Sequence, residues 1–382
     1  MAYKISGTEV INNSRKGLFT SANVGSYTPS NRPTSGISAG DIIYNSTLKV
    51  LEVYDGSTWL AAGGGGSSTP YATGGQIFHR TEGSPSPRTA TSYYYHIFSS
   101  TGTFTTNQTL NSVSVSVIGG GGAGGSITGG GGGAGAIVSE PGMPLPAGTY
   151  SVTIGAGGAY TPGNGSPGSS SIFSDNNPTY RIAASGGGGG GGGSANGLAG
   201  ACGGGGAGNT YGSTSGGSGS NTSGIDKPGP INATQVRAGT TGGGGYNLSG
   251  GGGAGTGEHG HAAPPNSQAG NSASYPAGEG GEGIYIPWSE VTSGNRIGGG
   301  GGGGRNGGAR PPGWALGGAG GGGQGKSPNA TVIDSGNGAF ASGSGGGGGA
   351  QGGPVNKYGG KGGGGFVVIR YFTGGNEPNI AY

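Results

Sequence analysis

The side chains able to do chemistry are few: 14 Asp and Glu, four His and one Cys in 382 residues. The densest group is Glu258-His259-Gly260-His261. Two imidazoles at i and i+2 project from one side of an extended chain, and three copies around a threefold axis would offer six imidazoles to a transition metal in octahedral geometry. A solvated loop explains the same four residues, and no metal is assigned to His259 and His261. The lone Cys202 has no partner for an internal disulfide. Glu279, Glu282 and Glu290 share a loop-rich segment. Paired carboxylates are the equipment of glycosidases, but solvated loop charge is the simpler account. Gly320-Gly321-Gly322-Gly323-Gln324-Gly325-Lys326-Ser327 matches the P-loop pattern letter for letter. That pattern cradles phosphate only between a strand and a helix N-terminus, and here Pro328-Asn329 follows with no amphipathic repeat. The many G-x-G-x-x-G matches fail on the same ground. With no nucleophile–base–acid set recognisable, the sequence predicts a protein that is not an enzyme and carries no cofactor.

Recognition chemistry is better represented. Tyr211, Tyr246, Tyr275, Tyr285, Trp288, Trp314 and Tyr358 lie in segments between glycine runs. Their rings combine a flat apolar face with, in most cases, a polar edge, which suits sugar rings and protein receptors alike. Capping the ends of a packed glycine array is the alternative use. Tyr275, Tyr285, Trp288, Trp314 and Tyr246 are the candidate receptor contacts. The long insert 258–297 is the candidate recognition loop, because long ordered loops are more often functional. Net charge is +3 with no run of like charge. The clustered basic face that nucleic-acid binding needs is missing, and no nucleic-acid partner is expected.

These residues hang on an unusual frame. Glycine supplies 108 residues and proline 22, too many for a helical protein, since glycine costs roughly 1 kcal/mol per helix position relative to alanine. Collagen requires glycine at every third position, whereas 186–193 is an unbroken run of eight glycines. Of the 108 glycines, 92 fall within 119–365, in runs near 119–125, 129–135, 186–193, 203–208, 242–245, 250–257, 298–304, 317–325, 345–353 and 359–365. Chemically distinct inserts separate them, as in a repeat of rod and loop.

Strand candidates flank this array: Tyr93–Phe98, Thr103–Thr105, the Val/Ser alternation of Ser112–Ile118, the alternation of Tyr150, Val152 and Ile154, and Phe366–Phe372. If the strands on either side of the array share a sheet, the array is a closed insertion in a two-sheet sandwich. Polyglycine in polyproline II geometry has three residues per turn, rises about 3.1 Å per residue and makes no internal hydrogen bonds. Packed side by side, such rods can pair every N–H and C=O with a neighbour, provided no Cβ stands where they touch. A disordered glycine tether is the competing account, but a tether does not need its glycine divided into runs of similar length. The fold expected is all-β plus polyglycine II, a β-sandwich clamping a bundle of rods. Residues 1–62 form a small module around the hairpin Asp41–Tyr44/Val50–Tyr54, with Trp59 and Leu60 packing back on it. Residues 63–75 are a Gly/Ser linker and 76–382 the glycine-rich domain.

Ala39-Gly40-Asp41-Ile42-Ile43-Tyr44-Asn45, followed by Leu51–Trp59, resembles a module recurrent in virion proteins of tailed bacteriophages, notably those infecting marine cyanobacteria. Tyr95–Thr105, Val113–Gly122 and Gly365–Tyr371 resemble the opening and closing strands of phage glycine-rich-domain proteins, among them tail-fibre tip adhesins. The resemblance implies a β-sandwich carrying a polyglycine II bundle, with receptor-binding loops at one end. It implies attachment to other virion or tail proteins through 1–62, and a host cell-surface receptor, glycan or outer-membrane protein, as partner. A homo-oligomer, a trimer by analogy with other phage fibres, and a location on the virion follow from the same resemblance. Met1–Gly7 lacks the apolar core of a signal peptide, as expected of a virion protein assembled inside its host. A similar glycine-rich domain occurs in an animal receptor kinase ectodomain; the missing signal peptide and cysteine pairs speak against that version. The alternative function is a purely structural virion component, such as a capsid decoration or connecting fibre segment.

Overall fold

The computed structural model describes residues 3–5, 8–11, 25–47, 50–54, 56–57, 59–61, 70–82, 91–175, 180–209, 212–220, 224–226, 235–237, 240–246, 248–264, 277–285, 296–305, 315–326, 335–351 and 358–372. The chain forms two units, Met1–Thr69 and Pro70–Tyr382. Among the described residues no helix is long and apolar enough to cross a membrane.

In the first unit, β1 (Tyr3–Ile5) and β2 (Thr8–Ile11) pair with each other. β3 (Ser26–Tyr27), β4 (Ile42–Asn45), β5 (Val50–Tyr54) and β6 (Trp59–Ala61) make a four-stranded sheet in that order. The β4–β5 hairpin, with Asn45 opposite Val50, is the one its β-branched runs predict. Its buried face mixes polar with apolar side chains: Glu52 and Asn45 are buried together with Ile43, while Ile42 and Leu51 are exposed. The buried carboxylate is fully engaged, accepting from Arg32 Nε (2.8 Å), Arg32 Nη2 (2.5 Å) and Asn45 Nδ2 (2.9 Å). Burial by itself pushes the Glu52 carboxyl up, but the Arg32 and Asn45 hydrogen bonds and the Arg32 charge together hold it below the ordinary carboxylate range. Trp59 packs back on the hairpin against Tyr54, at 5.3 Å between ring centroids.

The second unit is framed by two antiparallel six-stranded sheets. Its strands are β7 (Ala72–Thr73), β8 (Gln76–Glu82), β9 (Thr91–Phe98), β10 (Gly102–Thr106), β11 (Leu110–Ile118), β12 (Ile137–Leu145), β13 (Gly148–Thr153), β14 (Ser171–Asp175), β15 (Arg181–Ala184), β16 (Gly224–Asp226), β17 (Gln235–Arg237) and β18 (Phe366–Phe372). One sheet has the order β16-β15-β14-β13-β10-β7, the other β17-β12-β11-β18-β9-β8. Ala72–Thr73, within the stretch read from sequence as linker, is thus an edge strand paired to β10.

Between the sheets lies one apolar core, to which Phe104, Tyr150, Val152, Phe173 and Ile182 contribute from one side and Val113, Val115, Val117, Val367 and Ile369 from the other. His96 is buried in this core; its Nδ1 lies 2.7 Å from Gly74 O and its ring stacks on Tyr371. Burial keeps the imidazole below its ordinary pKa. The second face of β11 carries Ser114 and Ser116, which a half-exposed strand would turn to solvent, yet both are buried. That face is covered as well, by a cluster of Tyr93, Tyr95, Ile118, Ile137, Phe366 and Val368 against Ile297 from the glycine array. β11 and β18 are neighbours, with Ile118 opposite Phe366. The array is therefore a closed insertion clamped at both ends.

Strands run on into glycine rods without a break. β11 continues as 119–126, and 129–136 leads into β12, so the β11–β12 hairpin is prolonged as two rods joined by the turn Ser126-Ile127-Thr128. The hydrogen bonds change period at that point. Gly119, Gly122 and Gly125 donate N–H to Ala136, Gly133 and Gly130 at 2.8–2.9 Å. Gly120, Ala123 and Ser126 donate to Ser169, Ser166 and Gly163, and Gly121 and Gly124 to Gly363 and Gly360, at 2.8–3.0 Å. Each successive residue addresses a different neighbour and the fourth returns to the first, which is the threefold repeat of polyglycine II.

Rod 129–136 shows the full arrangement. Its N–H groups go in rotation to 349–343, 191–185 and 251–254, while Gly125, Gly205 and Gly301 are among those donating back to its carbonyls from three further rods. Six neighbours surround it, and every backbone donor of 129–136 is paired. No hydrophobic core is needed at its centre, because backbone pairing and close approach replace one. The close approach demands glycine: a Cβ on Gly131 would stand 1.9 Å from Gly301 O. Where Ala134, Cys202 and Ala254 meet, three rods part enough to hold a small apolar cluster. Burial there pushes the Cys202 thiol up to about 11.

Candidate functional site

A threefold rod on the outside of a bundle turns one residue in three toward solvent. In 277–285, Glu279, Glu282 and Tyr285 are exposed while Gly280, Gly281 and Gly283 are buried. The three side chains therefore form a stripe with a spacing of about 9 Å, three residues at the polyproline II rise. The antiparallel neighbour 258–264 carries Glu258 and His261, also three apart. The two rods are pinned together by His261 N–H to Glu279 O (3.0 Å) and Gly257 N–H to Glu282 O (2.9 Å). Glu258 Oε1 lies 3.2 Å from His261 Nε2, and Glu258 Oε2 accepts from Glu282 N–H at 3.3 Å. Arg296 pairs with the Glu282 carboxylate and holds its guanidinium 4.8 Å from the Tyr285 ring centroid. Together Glu258, Glu282, Ile284, Tyr285 and Arg296, with Gly257 and Gly283, line an open cleft of about 600 Å³. Ile284 and Ile297 exchange backbone hydrogen bonds at 3.1 and 3.0 Å, and both pack on the outer face of the β11 sheet. The cleft thus stands at the sandwich end of the bundle.

Tyr246, a second candidate from sequence, stands at the other end. It is half-buried in a tight turn closed by reciprocal backbone bonds with Ser249 at 2.9 Å, with Leu248 at φ 64°. The adjoining Gly250 donates to Gly304, and Gly304 to Gly129, beside the Ser126–Thr128 turn. Tyr246 and Tyr285 therefore do not share a surface. Tyr275, Trp288 and Trp314 lie outside the described residues, as do Tyr211 and Glu290. The described residues flanking 265–276 and 306–314 belong to the Tyr246 end, where Gly278 donates to Gly250 and Arg305 to Lys326. The 258–297 insert, read from sequence as one recognition loop, contains two of the bundle's rods, because its glycines pair with neighbours as the longer runs do.

An aromatic pair that the candidate set omits also lies at that end. Tyr160 and Tyr358 are exposed with centroids 5.5 Å apart, and Lys361 Nζ lies 5.4 Å from the Tyr160 ring. The signal for Tyr160 was its place in Ala159-Tyr160-Thr161-Pro162-Gly163, an insert between two short glycine-bearing stretches.

The two imidazoles of the His-x-His element do not converge. His259 Nδ1 accepts from Thr241 N–H at 2.9 Å, whereas His261 turns to Glu258. Among the described residues, no three His, Cys, Asp or Glu side chains gather as a metal site. The P-loop-like stretch opens in a turn, with Gly320 and Gly321 at φ 107° and 97°, and continues as a rod in which Gly323, Gly325 and Lys326 donate to Gly345, Ala315 and Gly348; no helix follows it within the described residues.

The architecture is a glycine-rich scaffold that displays side chains on the outside of a backbone-paired bundle. The chain belongs to the glycine-rich domain family, whose model matches residues 98–372, from the end of β9 to the end of β18. No curated protein matches the sequence.

Proposed function

We propose that this chain is a phage virion fibre or adhesin protein that displays receptor-binding side chains for attachment to a host cell. The observation carrying the reading is that the bundle holds its backbone in place chiefly by hydrogen bonds between rods and leaves its outer positions free for recognition groups. Tyr285 and its charged neighbours, and separately Tyr160, Tyr246 and Tyr358, stand on or between rods whose positions are fixed before binding, which lowers the entropy cost of recognition. The receptor is a surface glycan or outer-membrane protein, and residues 1–62 join the chain to other virion or tail proteins. The sequence resemblance of that module and of the framing strands to tailed-phage proteins supports the virion location. Assembly as a homo-oligomer, three copies by analogy with other fibres, belongs to the same reading.

The test is adsorption of the labelled full-length chain to a panel of bacterial cells. Saturable binding to particular strains is expected. Binding should fall at least tenfold when the exposed pair Tyr160 and Tyr358 is replaced by alanine together with Tyr246, with the protein still folded by thermal unfolding. Adsorption to no strain would leave a structural virion component as the better reading.

A further inference from the structure

The cleft on the side of the bundle has a composition of its own. It pairs one aromatic platform, Tyr285 at 60% exposed, with two carboxylates, Glu258 and Glu282, and one guanidinium, Arg296. Carboxylates are acceptor-only and offer about four lone-pair directions each. Glu258, which lines the cleft, uses one contact on each oxygen, to His261 and to the Glu282 amide, which leaves each oxygen with acceptor capacity to spare. The Tyr285 ring and the Ile284 side chain supply apolar surface beside those acceptors. The cleft, about 600 Å³ and open to solvent, has room for one unit of a larger ligand lying across the surface and does not enclose a whole small molecule.

A ligand that satisfies all of these carries a patch of C–H groups for the ring and several hydroxyl donors for the carboxylates. It bears no negative charge of its own, because the charged lining groups are two carboxylates against one guanidinium, with Glu279 on the same stripe. We propose that this cleft binds a hexose or amino-sugar unit of a glycan that carries no acidic group, stacked on Tyr285 and hydrogen-bonded to Glu258 and Glu282.

The backbone that carries these groups is already held in place. Gly257 donates to Glu282 O, Gly283 to Ala319 O at 2.7 Å, and Ile284 and Ile297 to each other. Arg296 plays a positioning role: its ion pair orients the Glu282 carboxylate, and its guanidinium stands over one face of the Tyr285 ring, so the sugar stacks on the opposite face. The cleft is also remote from the Tyr246 end, so a glycan seated here contacts the side of the bundle and not its tip. The inference deepens the adhesin reading and rests on it for the biological source of the glycan.

The experiment measures retention of the full-length protein on immobilised neutral and amino-sugar oligosaccharides, with sialylated and sulfated oligosaccharides as comparison, for wild type, Tyr285→Ala, Tyr285→Phe and Glu282→Gln. Cell adsorption of the same four proteins is recorded alongside, and thermal unfolding establishes that each variant is folded. Retention on the neutral or amino-sugar probes alone is expected. It should fall at least tenfold in Tyr285→Ala and in Glu282→Gln, and be largely kept in Tyr285→Phe, which preserves the stacking face. Equal retention on acidic probes, no retention on any probe, or wild-type retention by folded Tyr285→Ala overturns the inference. Cell adsorption unaffected by these substitutions, with no sugar retained, removes the cleft and leaves the adhesin reading standing. Sugar retention without cell adsorption removes the adhesin reading and leaves the cleft.

Discussion

At the scale of single residues, the bundle divides glycines into those that must be glycine and those that need not be. The distinction lies in distance rather than in φ. A Cβ on Gly131 would stand 1.9 Å from Gly301 O, inside a rod hydrogen-bonded on all sides, whereas a Cβ on Gly364 would find its nearest neighbour, Gly155 O, at 3.9 Å. Overpacking a tight interior typically costs about 1–3 kcal/mol, and backbone atoms cannot step aside as a flexible side chain can. Gly131→Ala is therefore expected to destabilise the second unit by at least about 3 kcal/mol, and Gly364→Ala by less than about 0.5 kcal/mol, measured by chemical denaturation. Equal effects of the two would mean that the rods are not packed at this distance. Side chains obey the same logic: Glu279, Glu282 and Tyr285 are tolerated because every third position of an outer rod faces water.

At the scale of elements, the rod is a phase-sensitive object. In a strand, a one-residue slip exchanges two faces; in a threefold rod it rotates each later N–H by one third of a turn, onto the wrong neighbour. In 186–193, Gly187 and Gly190 serve Gly120 and Ala123, while Gly188 and Gly191 serve Cys202 and Gly205. One glycine inserted between Gly189 and Gly190 redirects the donors beyond it. Three glycines inserted there restore the rotation and displace the rod end by one turn, which the Gly193–Ser194 turn can absorb. The expected order of thermal stability is wild type, then the three-residue insertion, then the one-residue insertion. A one-residue insertion no worse than the three-residue insertion would contradict the threefold pairing. Unlike the rods, the strands speak in side chains, and the Val113, Val115, Val117 alternation was readable directly as a core-facing strand.

At the scale of the whole molecule, sandwich and bundle are one structure in the second unit, because β11, β12, β15 and β18 each continue into a rod. Ile297 and Ile284, from the array, also pack on the sandwich. Stability in such an arrangement is shared between a conventional apolar core and a paired backbone, so neither part should open alone. Native-state hydrogen exchange is expected to give the interior amides of 129–136 the same opening free energy as those of Val115 and Ile369. Faster exchange throughout the rods, with the strands still protected, would show that the bundle is a separately melting unit. The same continuity separates two exposed surfaces, the cleft at the sandwich end and the tyrosines Tyr160, Tyr246 and Tyr358 at the other.

Much of this design is legible in the sequence. Strand alternation identified the frame, the placing of β11 before the array and β18 after it implied a clamp, and runs of bare glycine implied rods that touch without Cβ. The three-residue spacing in Glu279-Gly280-Gly281-Glu282 is itself a sign that both carboxylates share one stripe, masked by the loop-like composition of the segment. What could not be read is which rod lies against which. Gly131 beside Gly251 on one side and Gly205 on another has no counterpart in the sequence, since a glycine has no side chain with which to specify a partner. That choice is made by the register of the clamped strands, by the lengths of the turns between rods, and by the few positions, such as Ala134 with Cys202 and Ala254, where a small side chain must find room. For the same reason the five aromatic candidates looked like one set in the sequence. Of the two among the described residues, the folded chain carries Tyr285 to the sandwich end of the bundle and Tyr246 to the other.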